Sequence, residues 1–430
     1  MAKRNILSPI QKFYQIESSS GILLLFATIM ALIWANSPLA ESYQSLWQYK
    51  LGFTSEGFEL NKPLILWIND GLMAIFFFLI GLEIKREFLI GELNSLKKVA
   101  FPLFGALGGI ILPVTLYFVL NTNPDTLKGW GVPMATDIAF SLAILNALGN
   151  RVPLSLKIFL TAFAIVDDLA AVLVIAIFYS SDIQIDMLGI ALLLLGVLYL
   201  LSYKGYYTKF LMIVLGIVIW TLFLKSGIHP TLSGVLLAFS VPISQKIKTN
   251  EFVDNLVTIT GNIKKAADLK EPILSKDQIR EMINLQNWAN KFKSPLQDLE
   301  HDLHDWVAYL IIPVFALANA GVSLHTDIGL DNNLILKIII ALVVGKSVGV
   351  TSIIFIARKL KLIEVPADIS NRHIIGVSFL AGIGFTMAIF IAGLAFIDPI
   401  YVDSSKIGIL IGSVVAAIIG YIILNDKKKK

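Results

Sequence analysis

Two adjacent carboxylates, Asp167 and Asp168, sit in the run FAIVDDLAAVLVIAIFY with no base nearby in sequence to balance them. An ionised side chain at the centre of a bilayer costs at least ~2.5–3.5 kcal/mol on insertion scales, so such residues persist where they face a wet cavity or the interior of a helix bundle. Neighbours on an α-helix point ~100° apart, which lets both acids border one cavity without sharing a direction. Two carboxylates this close in a poorly hydrated site cannot both stay ionised cheaply. Such a pair holds a proton or a hard cation, and hard cations such as Na⁺ favour oxygen ligands. The chemistry is competitive exchange at one site.

Other polar residues lie in equally apolar runs. Asp137 sits in GVPMATDIAFSLAIL, with Gly131 and Pro133 before it and Thr136 beside it. Gly and Pro in a spanning helix favour unwinding, with freed carbonyls turned to a cavity. A carboxylate there offsets the positive ends of half-helices, so Asp137 reads as charge compensation. A second interrupted run, FLAGIGFTMAIFIAGLAF, carries Gly382 and Gly384 before Thr386, and the two runs share the spacing T-x-x-x-F (Thr136/Phe140 and Thr386/Phe390). Two such runs in opposite halves point to a transport site built from broken helices. Lys346, in IIIALVVGKSVGVTSIIFIA, is too deep to snorkel to the interface, and an ion pair with one of the aspartates is expected. Asp70 is the fourth acid within an apolar run.

The remaining titratable groups are less specific. Cys is absent, which excludes disulfides, thiolate metal sites and a Cys nucleophile. The histidines (His229, His301, His304, His325 and His373) form no HExxH motif and too small a ligand set for zinc. In EHDLH, Glu300 precedes His301 and His304, which stand at i, i+3 and titrate near neutrality, so a pH-responsive cluster and a solvated helix start are both open. The segment GLEIKRE (Glu83, Lys85, Arg86, Glu87) reads as a mixed-charge helix end at the membrane interface.

The elements that position these groups follow from composition. The 430 residues are 56% apolar and 15% charged, against about 45–50% and about 25% in soluble proteins. No polar linkers divide the chain, so residues 1–430 read as one polytopic membrane domain, all-α. The net charge of +4 is small and unevenly placed, which argues against a nucleic-acid partner. On the criterion of about 20 apolar residues per crossing, twelve spans are expected: 21–36, 63–82, 99–120, 131–149, 157–179, 187–203, 208–224, 228–243, 306–324, 334–357, 373–396 and 405–424. Lys3, Arg4 and Lys12 before the first give it the look of a signal peptide, but eleven later spans favour a retained helix. With the N-terminus inside, 28 of the 35 Lys and Arg fall in cytoplasmic segments, five on the opposite side and two within a span. The positive-inside rule then puts both termini in the cytoplasm, together with the long segment 244–305. That segment, with nine basic and ten acidic residues, reads as an amphipathic helical hairpin on the bundle or membrane surface.

Taken in order, the blocks SSSGILLLFATIMALIWANS, WINDGLMAIFFFLIGLEIKRE, WGVPMATDIAFSLAIL, AIVDDLAAVLVIAIFY, GIHPTLSGV, LEHDLHDWVAYLIIPVFALANAGV, GKSVG and GIGFTMAIFIA resemble the NhaA family of bacterial sodium/proton antiporters. The resemblance runs from near the N-terminus to the last span. Inverted repeats and two interrupted helices crossing at the midplane come with it, not from the spacing of these residues. It implies that Asp167 and Asp168, with Thr136, hold the transported Na⁺ or H⁺, and that Asp137 and Lys346 compensate charge. It also implies a cytoplasmic funnel linked to pH activation, formed by Glu83, Glu87, Glu300, His301 and His304. The implied activity is electrogenic exchange of cytoplasmic Na⁺ or Li⁺ for more than one external proton at the bacterial inner membrane, without a cofactor. Membrane lipids are the surroundings, and assembly as a homodimer is left open. The chain departs from the family in its loop before LEHDLH, usually short, which 244–294 enlarges by dozens of residues.

Rivals make different demands. A sodium-coupled organic-anion symporter of similar architecture is the transporter alternative, and the absence of proton movement on adding Na⁺ would favour it. An intramembrane aspartyl protease wants aspartates on two facing helices with a GxGD motif, and no Gly-Asp dipeptide occurs. A channel fits the composition, but a charge pair on broken helices favours a carrier.

Overall fold

In the computed structural model, residues 9–55, 58–91, 93–180, 182–265, 273–323 and 329–425 are described. His325, the chain ends 1–8 and 426–430, and part of the long segment, 266–272, lie outside the described residues. The chain is an all-α membrane protein with one small β-hairpin. Among the described residues, seven helices are long and apolar enough to cross a bilayer, or nine if each of two bent pairs counts as one crossing.

The elements follow the apolar runs. Helix α1 (Pro9–Ala35) turns by 112° into the short α2 (Ala40–Gln48). An antiparallel hairpin, β1 (Lys50–Ser55) and β2 (Phe58–Pro63), leads into α3 (Leu64–Ile90). Helix α4 (Leu96–Leu120) precedes a 3₁₀ segment (Pro124–Met134) and the short α5 (Ile138–Ala147). Then come α6 (Leu154–Phe178), α7 (Ile185–Tyr203), α8 (Lys209–Ser226) and α9 (Thr231–Ser240). The polar segment forms α10 (Thr249–Lys265) and α11 (Lys276–Phe292). Last are α12 (residues 295–319), α13 (Asn332–Lys359), α14 (Asn371–Ala381), α15 (Phe385–Ala395) and α16 (Pro399–Asn425).

Lipid replaces water around such a bundle, so close backbone packing carries much of the helix association. Two contacts show it. A Cβ on Gly349 of α13 would lie 2.1 Å from the Gly108 carbonyl oxygen of α4, and one on Gly234 of α9 would lie 2.2 Å from the Ala74 carbonyl oxygen of α3. Only glycine permits these approaches, and the first helps place Lys346 beside α6. The most deeply buried of the long helices is α6, whereas Leu193 on α7 and Ile217 on α8 are exposed, as lipid-facing residues are.

The polar segment is a helical hairpin, as the sequence suggests. A capping box at Ser275 and Gln278 starts α11, Phe252 stacks on Phe292 at 4.3 Å, and Ile259 is buried between the helices. At its base Lys293 and Lys209 reach Asp298 at 3.0 and 2.7 Å, and Lys209 also reaches Asp302 at 2.9 Å. Asp298 lies outside the predicted spans. Its partial burial raises its carboxyl, and the bonds to both lysines outweigh that, so it sits below its ordinary value.

Two features of the fold leave no mark in the sequence. The hairpin at 50–63 is one. The other, among the described residues, is a set of three π-helical turns, Trp67–Leu72, Val307–Ile311 and Ala341–Gly345, that interrupt α3, α12 and α13. A π-turn inserts a residue and re-aims the side chains after it. Lys346 follows the third turn directly.

Candidate functional site

The first interrupted helix loses regular structure at Ala135–Asp137, between the 3₁₀ segment and α5. The second breaks at Gly382–Gly384, between α14 and α15, which are bent by 42°. Each break leaves backbone groups without intrahelical partners, and the two breaks satisfy one another. The Asp137 N–H donates to the Ile383 carbonyl at 2.6 Å, the Thr136 hydroxyl to Ala381 at 3.0 Å and the Ser141 hydroxyl to Leu380 at 2.8 Å.

Asp137 caps two helices at once. Its Oδ1 accepts the Phe140 N–H of α5 at 3.1 Å. Its Oδ2 accepts the Thr386 N–H and hydroxyl of α15 at 3.0 and 2.6 Å. A helix N-terminus carries roughly half a positive charge, so one carboxylate balances the two ends that meet here. The T-x-x-x-F repeat does not give matched roles. Phe140 packs edge-on to Phe385 at 5.2 Å, whereas Phe390 packs on Phe77 and His229.

Helix α6 supplies the aspartate pair. Asp167 Oδ2 bonds Lys346 Nζ at 2.9 Å, with the side chains 1% and 0% exposed. Lys346 also donates to the carbonyl of Met134, the last residue of the 3₁₀ segment. Its charge therefore meets both an acid and the negative end of a half-helix. Thr136 faces the Asp167 carboxylate with its hydroxyl and its amide. The second oxygen, Asp167 Oδ1, is buried without a hydrogen-bond partner. Asp168 is 3% exposed; among the described residues it makes no hydrogen bond and no ion pair, and its charged neighbours are Asp167, Asp137 and Lys346.

The charge count is simple. Asp137 is offset by two helix ends and Asp167 by Lys346. Asp168 is left over, one carboxylate deep in the protein beside Asp167, whose own carboxylate Thr136 faces. Among the described residues no three His, Asp or Glu side chains converge as a resident metal would require. The arrangement suits one exchangeable cation.

The other residues singled out by sequence fall into two separate clusters. Asp70, on the π-turn of α3, pairs with Lys62 of β2 at 3.0 Å and lies 3.8 Å from His229, while its carbonyl accepts from Trp220 at 3.0 Å. At the other end of α3, Arg86 bridges Glu87, at 2.8 Å, and Glu300 of α12. Glu83 and His304 are buried and His301 is exposed, so the EHDLH histidines do not share one environment. Glu300 lies outside the predicted spans. Burial pushes its carboxyl above the ordinary value; Arg86 draws it down and Glu87 raises it further. Lys85 donates to the Phe239 and Val241 carbonyls at 2.7 and 2.6 Å, capping α9, a role its charge run did not reveal. Thr386 was legible from its place shortly after Gly382 and Gly384 and from the T-x-x-x-F match, but neither announced that it would bind Asp137.

Comparison with known proteins gives the family. The family model described as "Na+/H+ antiporter 1" matches residues 11–424. A Na(+)/H(+) antiporter NhaA of Oleidesulfovibrio alaskensis is 45% identical over 423 residues, covering 98% of this chain and 94% of the relative. NhaA 1 of Saccharophagus degradans is 41% identical, covering 98% and 92%, and NhaA of Bacteroides fragilis is 42% identical, covering 98% of both. With a family match over nearly its whole length and relatives aligned end to end, this chain belongs to the NhaA Na⁺/H⁺ antiporters.

Proposed function

We propose that the protein is a secondary active transporter that exchanges cytoplasmic Na⁺, or Li⁺, for external protons at Asp167 and Asp168, under pH control. The observation that carries this is Asp168, a buried carboxylate with no partner beside a compensated crossing. A proton or a sodium ion neutralises the leftover charge equally well, and both cannot occupy it together. The loaded site can then move through the dielectric barrier that opposes the bare charge. One cavity offers the deprotonated pair to Na⁺, and the opposite cavity returns it protonated. More than one proton per sodium makes the cycle electrogenic and requires a second titrating group, which the Lys346–Asp167 pair supplies. The family's antiporters displace the symporter alternative.

Several finer readings accompany the proposal. Cytoplasmic placement of both termini agrees with the basic-residue asymmetry, while twelve crossings arranged as inverted repeats in the inner membrane follow from the family resemblance. The charge cluster of Glu83, Glu87 and Glu300 with His301 and His304 is the proposed pH-responsive region, and Li⁺ transport, surrounding lipids and a homodimer complete the reading.

Everted membrane vesicles holding a pH gradient test the function. Adding Na⁺ or Li⁺ should dissipate the gradient, K⁺ should not, and Asp168→Asn should abolish the response while inserting normally. Robust exchange by Asp168→Asn would overturn the proposal.

A further inference from the structure

The second interrupted helix has a donor that the exchange site does not account for. Helix α15 starts at Phe385, and its first N–H groups have no partner within the helix. Thr386 gives its N–H to Asp137. Phe385 gives its N–H to Ser413 Oγ at 3.2 Å, on α16. Both residues are buried, Phe385 at 3% and Ser413 at 6% exposure. Gly384 at the cap position offers no side chain of its own. A buried N–H left unbonded is costly, so the hydroxyl at 413 decides how firmly α15 begins.

Ser413 reaches this place because α16 presents small residues to its neighbours. A Cβ on Gly412 would lie 3.3 Å from Leu342 Cδ1, and one on Gly382 would lie 2.7 Å from the Leu342 carbonyl oxygen. The break of the second interrupted helix is thus wedged between α13 and α16. Its two sides are three residues apart, so one anchor serves both. On one side Thr386 holds Asp137; on the other the Ala381 carbonyl holds the Thr136 hydroxyl.

We propose that Ser413 is a positioning residue for exchange: it fixes the start of α15, and through it Thr136 and Asp137, and so sets how tightly the site closes on a cation. The inference rests on the exchange reading above. Among the described residues Ser413 makes no hydrogen bond to the aspartate pair or Thr136, so its loss should widen the range of positions open to the ligands without removing one. A smaller ion needs closer oxygen contacts, so Li⁺ should suffer more than Na⁺.

The test uses the full chain, purified and reconstituted into proteoliposomes, with Na⁺ and Li⁺ titrated separately. Ser413→Ala should raise the apparent KM for Na⁺ at least threefold and that for Li⁺ further, with the maximal rate per folded transporter within about twofold of wild type. Ser413→Thr, which keeps the hydroxyl, should restore both constants. If Ser413→Ala does not fold, Ser413→Cys, a weaker acceptor, carries the same test with a smaller shift. An unchanged Na⁺-to-Li⁺ ratio in a folded Ala or Cys variant, or no recovery with Thr, would overturn the inference. Loss of exchange in Asp168→Asn with no effect at Ser413 would leave the exchange reading intact and remove this one alone.

Discussion

Asp137 and Asp168 are buried alike, at 2% and 3% exposure, and they differ in everything else. Asp137 has both oxygens bonded, to donors at the starts of two half-helices. Asp168, on the continuous helix α6, has no bond at all among the described residues. On the proposed reading, the difference separates a carboxylate that holds the crossing together from one that trades ligands. On that reading, what suits Asp168 to exchange is a carboxylate held by no bond at the crossing, not burial alone. The Lys346–Asp167 pair stands between these extremes, with one oxygen bonded and one free.

The comparison can be broken on its compensated side. Lys346→Ala should have the largest effect on stability, because it leaves Asp167 charged and unpaired. Removing one partner of a buried pair typically costs ~3–5 kcal/mol, which should appear as a lower melting temperature of the purified protein. Adding Asp167→Asn to that variant should recover part of the loss, and no recovery would count against the pair. Asp137→Asn should cost less, about 1–3 kcal/mol, since an amide satisfies only some of the donors that meet there. Transport should weaken without vanishing, whereas an inactive but fully stable Asp137→Asn would make Asp137 a cation ligand instead of a cap.

Further from the site the effects shrink. Deleting residues 250–290 removes the paired helices α10 and α11 but none of the intramembrane acids. Na⁺-driven proton movement should remain measurable, with a shifted pH profile; complete loss in a correctly inserted deletion would show that the hairpin belongs to the transport machinery. The smallest effect is expected at Glu300. Folding raises its carboxyl above the unfolded value, mainly through burial. The folded chain then binds this proton more tightly than the unfolded one, so the contribution is complete below the unfolded value and fades as pH rises through the folded one. Glu300→Gln should flatten that decline in stability, and an unchanged slope would remove Glu300 from the pH response.

The site was largely legible because charge is conspicuous in apolar sequence. Asp137, the adjacent Asp167 and Asp168, and Lys346 stand out against long hydrocarbon runs, and Gly131, Pro133, Gly382 and Gly384 mark the two breaks. What stayed hidden is set by tertiary contact. The π-turn before Lys346 has the composition of any apolar helix, so nothing in ALVVG betrays it. The hairpin at 50–63 depends on pairing across a turn instead of local period. The hydroxyls of Thr386 and Ser413 acquire meaning only when partners hundreds or tens of residues away arrive, and T-x-x-x-F suggested a likeness that packing does not keep. The segment before α12 shows the opposite case: strong amphipathic period made its helical hairpin plain, while its grip on Lys209 through Asp298 and Asp302 was not.

The most direct test of the exchange site is the apparent Na⁺ affinity of the purified wild-type protein, measured over a pH series. If Na⁺ and H⁺ compete for Asp168 and its partner, affinity should rise with pH by up to about tenfold per unit for one displaced proton. The rise should level off once the pair is deprotonated, and the midpoints will belong to the coupled pair, not to either aspartate. A sodium affinity that does not change with pH across the active range would contradict the account.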